Sequence, residues 1–313
     1  MLSKHNSDLK QRALIISGGG SKGAFAGGIA EYLIRGAGRQ YDIFAGTSTG
    51  GLLVPMLASG EIDAIRKVYT TVRQEDIFDV CPFRIRKKDG KDDVRINHFA
   101  VLGQFIRRRP TFGESNNLRR LIQRTFTEEI YERLKADPRY VIVTVANLSR
   151  NIIEYKYLRD CSYDDFCDWI WVSANMVPFM TLHVKNGDEY ADGGFGNLVP
   201  LQEAINLGAT DIDVIMLQPR DYTLRYPHST NAFNVLVRGF AFMLHQIGQD
   251  DLKIGLTESR YNGIRINLIN TPELLTNNSY IFDPVAMEQW WKDGYAYAQS
   301  LFPEAIESLS GSN

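Results

Sequence analysis

The chain has 313 residues, 44% of them apolar and 23% charged, which excludes disordered, collagen-like and low-complexity chains and allows one large domain or two small ones around a buried core. Thirty-five Lys and Arg against thirty-seven Asp and Glu leave a formal charge of −2, so no global field draws in nucleic acid or an anionic membrane, and any such affinity has to be local. Cys81, Cys161 and Cys167 are odd in number and lack metal-ligand spacing; they read as free thiols in a reducing compartment, with no metal site.

Taken in chain order, Met1 to Arg12 is polar and carries Lys4, Asp8, Lys10 and Arg12, without the apolar stretch of a secretory signal. The expected location is cytoplasmic. Ala13 to Ser17 is a short apolar run stopped by three glycines, the pattern of a buried strand leaving a sheet. Phe25, Ile29, Tyr32 and Leu33 then fall near helical spacing. Tyr41 to Ala45 predicts a second strand, followed by Gly46-Thr-Ser-Thr-Gly50 and a helix of small and apolar residues through Leu57. Repeated strand, loop and helix units favour an α/β sheet with helices on its faces and ligands at the carboxyl ends of the strands.

Residues 61–138 are charge-rich, including the runs Arg84–Asp93 and Arg107-Arg-Arg-Pro110, and read as helices and loops covering the sheet. Strands resume at Tyr140–Val145 and Ile152–Tyr157, the latter alternating like a half-exposed strand. A helix from Tyr163 to about Met176 ends before Pro178. The uncharged stretch Trp169–Val184 is interrupted by Asn175, Pro178 and His183 and falls short of the roughly 18 apolar residues of a membrane-spanning helix. Asn186-Gly187 signals a hairpin that delivers Asp192-Gly193-Gly194. A helix over Leu201–Leu207 and a strand over Ile212–Leu217 extend the core, and the chain beyond Arg220 reads as helical, with no linker and no internal repeat.

Three segments could carry chemistry. Gly46-Thr-Ser48-Thr-Gly50, between strand and helix, fits a nucleophile elbow, in which small neighbours allow a sharp turn that lifts the Ser48 hydroxyl to a helix N-terminus; a Ser/Thr-rich helix cap is the alternative. Gly18-Gly19-Gly20-Ser21-Lys22-Gly23 fits the dinucleotide fingerprint G-x-G-x-x-G. Yet Asp42 sits at the start of the second strand, where no ribose partner is wanted, and Lys22 precedes the last glycine, unlike a Walker lysine. An oxyanion hole facing Ser48 is an equally physical reading, and a loop that merely permits tight packing is a third. Asp192-Gly193-Gly194 could be a turn or could aim a carboxylate into the cleft. Ser48 needs a base, and none of His5, His98, His183, His228 and His245 is well placed, His183 in the hairpin being the one to watch.

Together, Gly18–Gly23, Gly46–Gly50 and Asp192–Gly194, with Val172-Ser-Ala-Asn-Met-Val-Pro-Phe-Met180 and Asn197–Pro200, resemble the motifs of patatin-like phospholipases, lipid acyl hydrolases with a Ser-Asp dyad. The likeness covers about Arg12–Leu217. It implies that Ser48 is the nucleophile, Asp192 its general base and the amides of Gly18, Gly19 and Gly20 the oxyanion hole, with Lys22, Gly23, Gly46, Gly50, Gly193 and Gly194 supporting the motifs. It implies a three-layer α/β/α sheet with a nucleophile elbow, a helical cap and C-terminal helices. The corresponding division is a catalytic domain over 12–217, with 61–138 as a covering insertion, and a mainly helical extension over 218–313 packed on it. No metal or organic cofactor is expected. The expected partners are a lipid ester and, transiently, a membrane or micelle surface met from the side; no nucleic acid is expected. Lys22 stands where the family often carries arginine, so a phosphate-clamping role does not transfer to it. A general carboxylesterase, an acyltransferase, a nucleotide-binding module and a non-catalytic lipid-binding protein are the alternatives.

Where an acyl chain would lie is read from Phe233–Ile247, a helix apolar nearly all round, hence either enclosed or an acyl-chain wall or interfacial lid. Trp290, Trp291, Tyr295 and Tyr297 read as core. The basic runs 84–88 and 107–109 read as a solvated face or as contacts for anionic headgroups.

Overall fold

Ala13, Leu14, Ile15 and Ile16 are apolar without alternation because both faces of their strand are covered. Leu14 and Ile16 enter one core with Phe44, Val143 and Leu217, whereas Ala13 and Ile15 enter a second with Ile43, Ile142 and Val214. The sheet lies between these cores, and helices close each from outside. In the computed structural model, residues 11–88, 91–220, 228 and 232–303 are described. β1 (Gln11–Ile16), α1 (Gly23–Glu31), β2 (Ile43–Thr47) and α2 (Thr49–Ala58) form the first two units. Residues 61–138 hold α3 (Ile62–Thr71), α4 (Gln74–Ile77), β3 (Phe83–Lys88), β4 (Lys91–Ile96), α5 (His98–Ile106), α6 (Asn116–Thr125) and α7 (Glu128–Lys135). Then come β5 (Tyr140–Asn147), β6 (Ile152–Tyr157), α8 (Tyr163–Ser173), β7 (His183–Lys185), β8 (Asp188–Asp192), α9 (Leu201–Asn206) and β9 (Ala209–Pro219). α10 (Ala232–Asn262), β10 (Arg265–Thr271) and α11 (Pro284–Leu301) follow.

The sheet order is β10-β9-β1-β2-β5-β8-β7, with β6 also paired to β5. β10, β9, β1, β2 and β5 are mutually parallel, and β6, β7 and β8 are antiparallel additions. This is the expected three-layer α/β/α architecture. Two elements depart from the sequence reading. The insertion contains the antiparallel hairpin β3–β4 where only helices and loops were expected, and the C-terminal hundred residues supply a sheet strand, β10, as well as helices. α11 packs on α1, where the buried Trp291 indole donates to the Glu31 carboxylate at 2.6 Å. Cys81, Cys161 and Cys167 are free thiols. No helix among the described residues is long and apolar enough to cross a membrane.

β10 is held by charge as well as by its ladder. Asp211 and Asp213 on β9 form a row of carboxylates; Asp211 accepts from Arg12 on β1 and from Arg265 on β10. The buried Asp213 accepts from Arg39 at 2.5 Å, from the Tyr41 hydroxyl at 2.6 Å and from Asn267 of β10 at 2.8 Å. A buried carboxylate deprived of a donor keeps its desolvation cost without compensation. Tyr41→Phe is therefore expected to lower stability by about 2 kcal/mol, read as a shift of the urea midpoint at unchanged slope. No shift would mean that water replaces the hydroxyl without loss.

Candidate active site

β2 ends at Thr47 and α2 begins at Thr49, so the chain reverses through Ser48 alone. Its backbone sits at φ 56° and ψ −122°, a conformation unfavourable for a residue with a side chain and one that persists only where the surroundings impose it. Gly46 and Gly50 make the turn possible. A Cβ on Gly46 would meet the Gly50 carbonyl carbon at 2.3 Å, and one on Gly50 would meet the Ile16 carbonyl oxygen at 2.1 Å. The elbow is pinned from two sides, the Ser48 N–H donating to Ser173 Oγ at 3.0 Å and the Thr47 hydroxyl to the Asn197 carbonyl at 3.0 Å.

Asp192 closes β8 and is buried. Its N–H donates to the Asn175 carbonyl at 2.9 Å. The carboxylate accepts the Gly194 N–H at 2.8 Å and lies near enough to the Ser48 hydroxyl to feel it electrostatically. Gly193 and Gly194 thus start a tight turn that folds an amide back onto Oδ1. Burial raises the Asp192 pKa to about 7, and the bond from Gly194 and the nearby Ser48 hydroxyl restrain the rise. The segment Val172–Met180, singled out by resemblance, fixes the backbone at both Ser48 and Asp192, since Ser173 holds the amide of Ser48 and Asn175 that of Asp192. The sequence reading assigned these two residues no role.

The glycine loop lies beside the elbow, a Cβ on Gly18 falling 3.2 Å from the Ser48 Cβ. The Gly18 N–H, however, is donated to the Leu198 carbonyl at 3.1 Å. That corrects the expectation of three free amides: Gly18 anchors the loop, and it is the amides of Gly19 and Gly20 that have no acceptor among the described residues. Gly20 has φ +57°, and a Cβ there would meet the Ser279 carbonyl oxygen at 2.2 Å. Gly23 starts α1. Lys22 does not line the cleft; its ammonium donates to the Leu217 carbonyl at 2.7 Å, and burial lowers its pKa to about 8. It is a tertiary strut between the loop and β9.

One further carboxylate acts on this region without having been foreseen. Asp251, on α10, accepts the Leu198 and Val199 amides at 2.7 and 2.9 Å and the Asn197 side chain at 3.0 Å. The same turn carries the carbonyls that hold Gly18 and Thr47. No motif marks Asp251, since its role depends on where a helix far along the chain passes. The histidines lie elsewhere. His183 packs against Trp169 and Trp171, His245 bonds Gln218, His98 and His228 are exposed, and His5 lies outside the described residues.

A cavity of about 1140 Å³, its open mouth included, starts at Gly18–Gly20, Ser48 and Asp192 and continues between α2, α3, α6 and α8. Its walls include Leu52, Val68, Leu121, Ile122, Phe126 and Ile170, and Asp192 is the one charged side chain among its described lining residues. Met56, eight residues beyond Ser48 on α2, also lines it, so at 1.5 Å per residue the cavity follows the helix for roughly 12 Å.

Residues 14–205 match the family model for patatin-like phospholipases. Among solved structures, the fold is similar to that of VipD from Legionella pneumophila, at 15% identity and a TM-score of 0.50, covering 96% of this chain and 68% of that one. No curated protein matches the sequence significantly. Since the matched segment spans more than half of the chain and carries the serine, the aspartate and the glycine loop alike, the chain belongs to the patatin-like phospholipase family, hydrolases that act on ester bonds of lipids.

Proposed function

We propose that the protein hydrolyses lipid carboxylic esters through an acyl-Ser48 intermediate, with Asp192 as the sole general base. What supports this reading is one arrangement: a strained serine and a buried carboxylate that line the head of one apolar cavity, near enough for the serine to lower the carboxylate's pKa. Ser48 attacks the acyl carbonyl while Asp192 takes its proton. The oxyanion is held by the amides of Gly19 and Gly20, and the proton then passes to the departing alkoxide. Water, deprotonated by the same carboxylate, then attacks the acyl carbon; the bond to Ser48 breaks, Asp192 returns the proton to the serine oxygen, and the fatty acid is released. A carboxylate with a pKa near 7 is a far better base than an ordinary one and is still substantially ionised at neutral pH. The acyl chain occupies the cavity, where each buried methylene contributes about 0.8 kcal/mol.

A fluorophosphonate probe should label wild-type protein at Ser48 alone, as mapped by mass spectrometry, and should not label Ser48→Ala. Absence of labelling together with tight NAD or NADP binding would overturn the reading in favour of a nucleotide module. If the cavity holds the chain, Met56→Trp should reduce the ratio of palmitoyl to butyryl ester turnover by at least about tenfold. An unchanged ratio would place the chain elsewhere.

A further inference from the structure

α5 is amphipathic in the wrong sense for a helix lying on a soluble protein. Its inward side chains include Val101 and Gln104, whereas Phe99, Leu102, Phe105 and Ile106 face outward, Phe99 at 77% and Ile106 at 74% exposure. Water does not favour such a stripe, and one this concentrated marks a surface that meets something apolar. The first half of α10 repeats the pattern. Val237, Phe240 and Leu244 turn toward the core while Val235, Leu236, Phe242 and Met243 face solvent. The enclosed-helix reading of 233–247 is thus corrected: one stripe packs, with Leu244 lining the cavity, and the other is open.

The two stripes flank a single aromatic column. Phe105 packs on Phe112, Phe112 on Phe179, and Phe179 on both Phe240 of α10 and Tyr280, with centroid separations of 5.6–6.3 Å. Tyr280 and Leu244 line the catalytic cavity, so the exposed stripes and the cavity share one end of the molecule.

Charge identifies the occupant. From Val94 to Gly113 the chain has no Asp or Glu and contains Arg95, Arg107, Arg108 and Arg109; from Ala232 to Gln249 it again has no acid and contains Arg238. Arg107 and Arg108 are exposed at the C-terminal end of α5, and at its other end the Arg84 guanidinium lies 5.6 Å from the centre of the Phe99 ring. Glu114, the nearest acid beyond α5, is engaged by Gln104 and Arg109. In a chain of net charge −2, apolar stripes bounded by arginines fit a lipid surface carrying anionic headgroups. We infer that α5 and the first half of α10 form a membrane-docking face, which inserts Phe99, Ile106 and Phe242 among acyl chains while Arg84, Arg107 and Arg108 meet lipid phosphates, and which sets the cavity against the bilayer. The inference builds on the lipid-hydrolase reading, but docking and turnover are measured apart so that either can fail alone.

The test uses full-length Ser48→Ala protein, which leaves the lipid intact, in sedimentation with vesicles of phosphatidylcholine alone and of phosphatidylcholine with phosphatidylglycerol. Binding should favour the anionic vesicles and weaken with salt. Adding Phe99→Gln with Ile106→Gln should lower partitioning onto both vesicle types by at least about 100-fold. Adding Arg107→Gln with Arg108→Gln should lower it about 30-fold on the anionic vesicles alone. In the Ser48 background, both pairs should leave turnover of a soluble butyryl ester unchanged. Vesicle binding that is absent, or indifferent to both pairs, would overturn the inference. So would a protein that binds no vesicles but forms a dimer abolished by the Phe99/Ile106 pair, which would assign the face to a second copy of the chain.

Discussion

Ser48→Ala and Asp192→Asn are each expected to lower kcat/KM toward a lipid ester by about 10⁴-fold or more, with the double variant no worse than the poorer single one. The non-additivity follows from the proposed roles: if the hydroxyl is a nucleophile only while the carboxylate takes its proton, removal of either partner removes the same step. In the proposed mechanism the acid limb of the wild-type pH profile belongs to Asp192. With a pKa of about 7, kcat/KM should fall about tenfold per unit below that value and level off above it. Fatty acid release measured from pH 5 to 9 checks both statements. A flat profile down to pH 5, or an Asp192→Asn variant with full activity, would remove Asp192 from the mechanism.

The second large effect concerns stability and has the opposite sign. An aspartate whose pKa is 3.8 in the unfolded chain and about 7 in the folded one binds its proton more tightly when folded. The resulting stabilisation is complete below the unfolded value and is lost as pH rises through the folded one. At pH 8 wild type therefore bears the cost of an ionised carboxylate in an enclosed site, about 4 kcal/mol by linkage, whereas the neutral amide that replaces it in Asp192→Asn does not. This variant should melt at a higher temperature than wild type at pH 8, by several degrees. The gap should close as pH falls toward 4. Equal melting temperatures at both pH values would show that the carboxylate is better solvated than its surroundings imply. An inactive yet more stable variant is the expected signature of a site whose reactivity is maintained against the fold.

How far the sequence could carry the structure depends on the range of the interactions. β1, the glycine loop, β2 and the elbow follow from runs of a few residues, because an unbroken apolar strand stopped by glycine has little choice of role in a layered sheet. Ser48 and Asp192, far apart in sequence, could be proposed as partners because each sits in a short motif. Hairpin β3–β4 was obscured by charge: Phe83 and Ile85 alternate with arginines, as do Val94 and Ile96 with Arg95, and Asp89-Gly90 between them is a turn signal. β10 was missed because it follows a helix of 31 residues without a linker and owes its place to Asp211 and Asp213. The parts played by Ser173, Asn175 and Asp251 were beyond reach for a related reason. They act on backbone amides supplied by distant segments, and a backbone amide leaves no mark on a sequence. The same holds for Gly18, whose amide is taken by the Leu198 carbonyl.

The β9–β10 pairing also bears on how the molecule can be cut. Residues 14–205 define the family match, but a fragment ending near residue 217 would leave β9 as a bare strand, its ladder unpaired along one side and Asp211 and Asp213 deprived of Arg265 and Asn267. Open edges of this kind recruit other chains. A fragment cut there is therefore a poor unit for expression, and in the laboratory the smallest well-behaved piece has to run at least through Thr271.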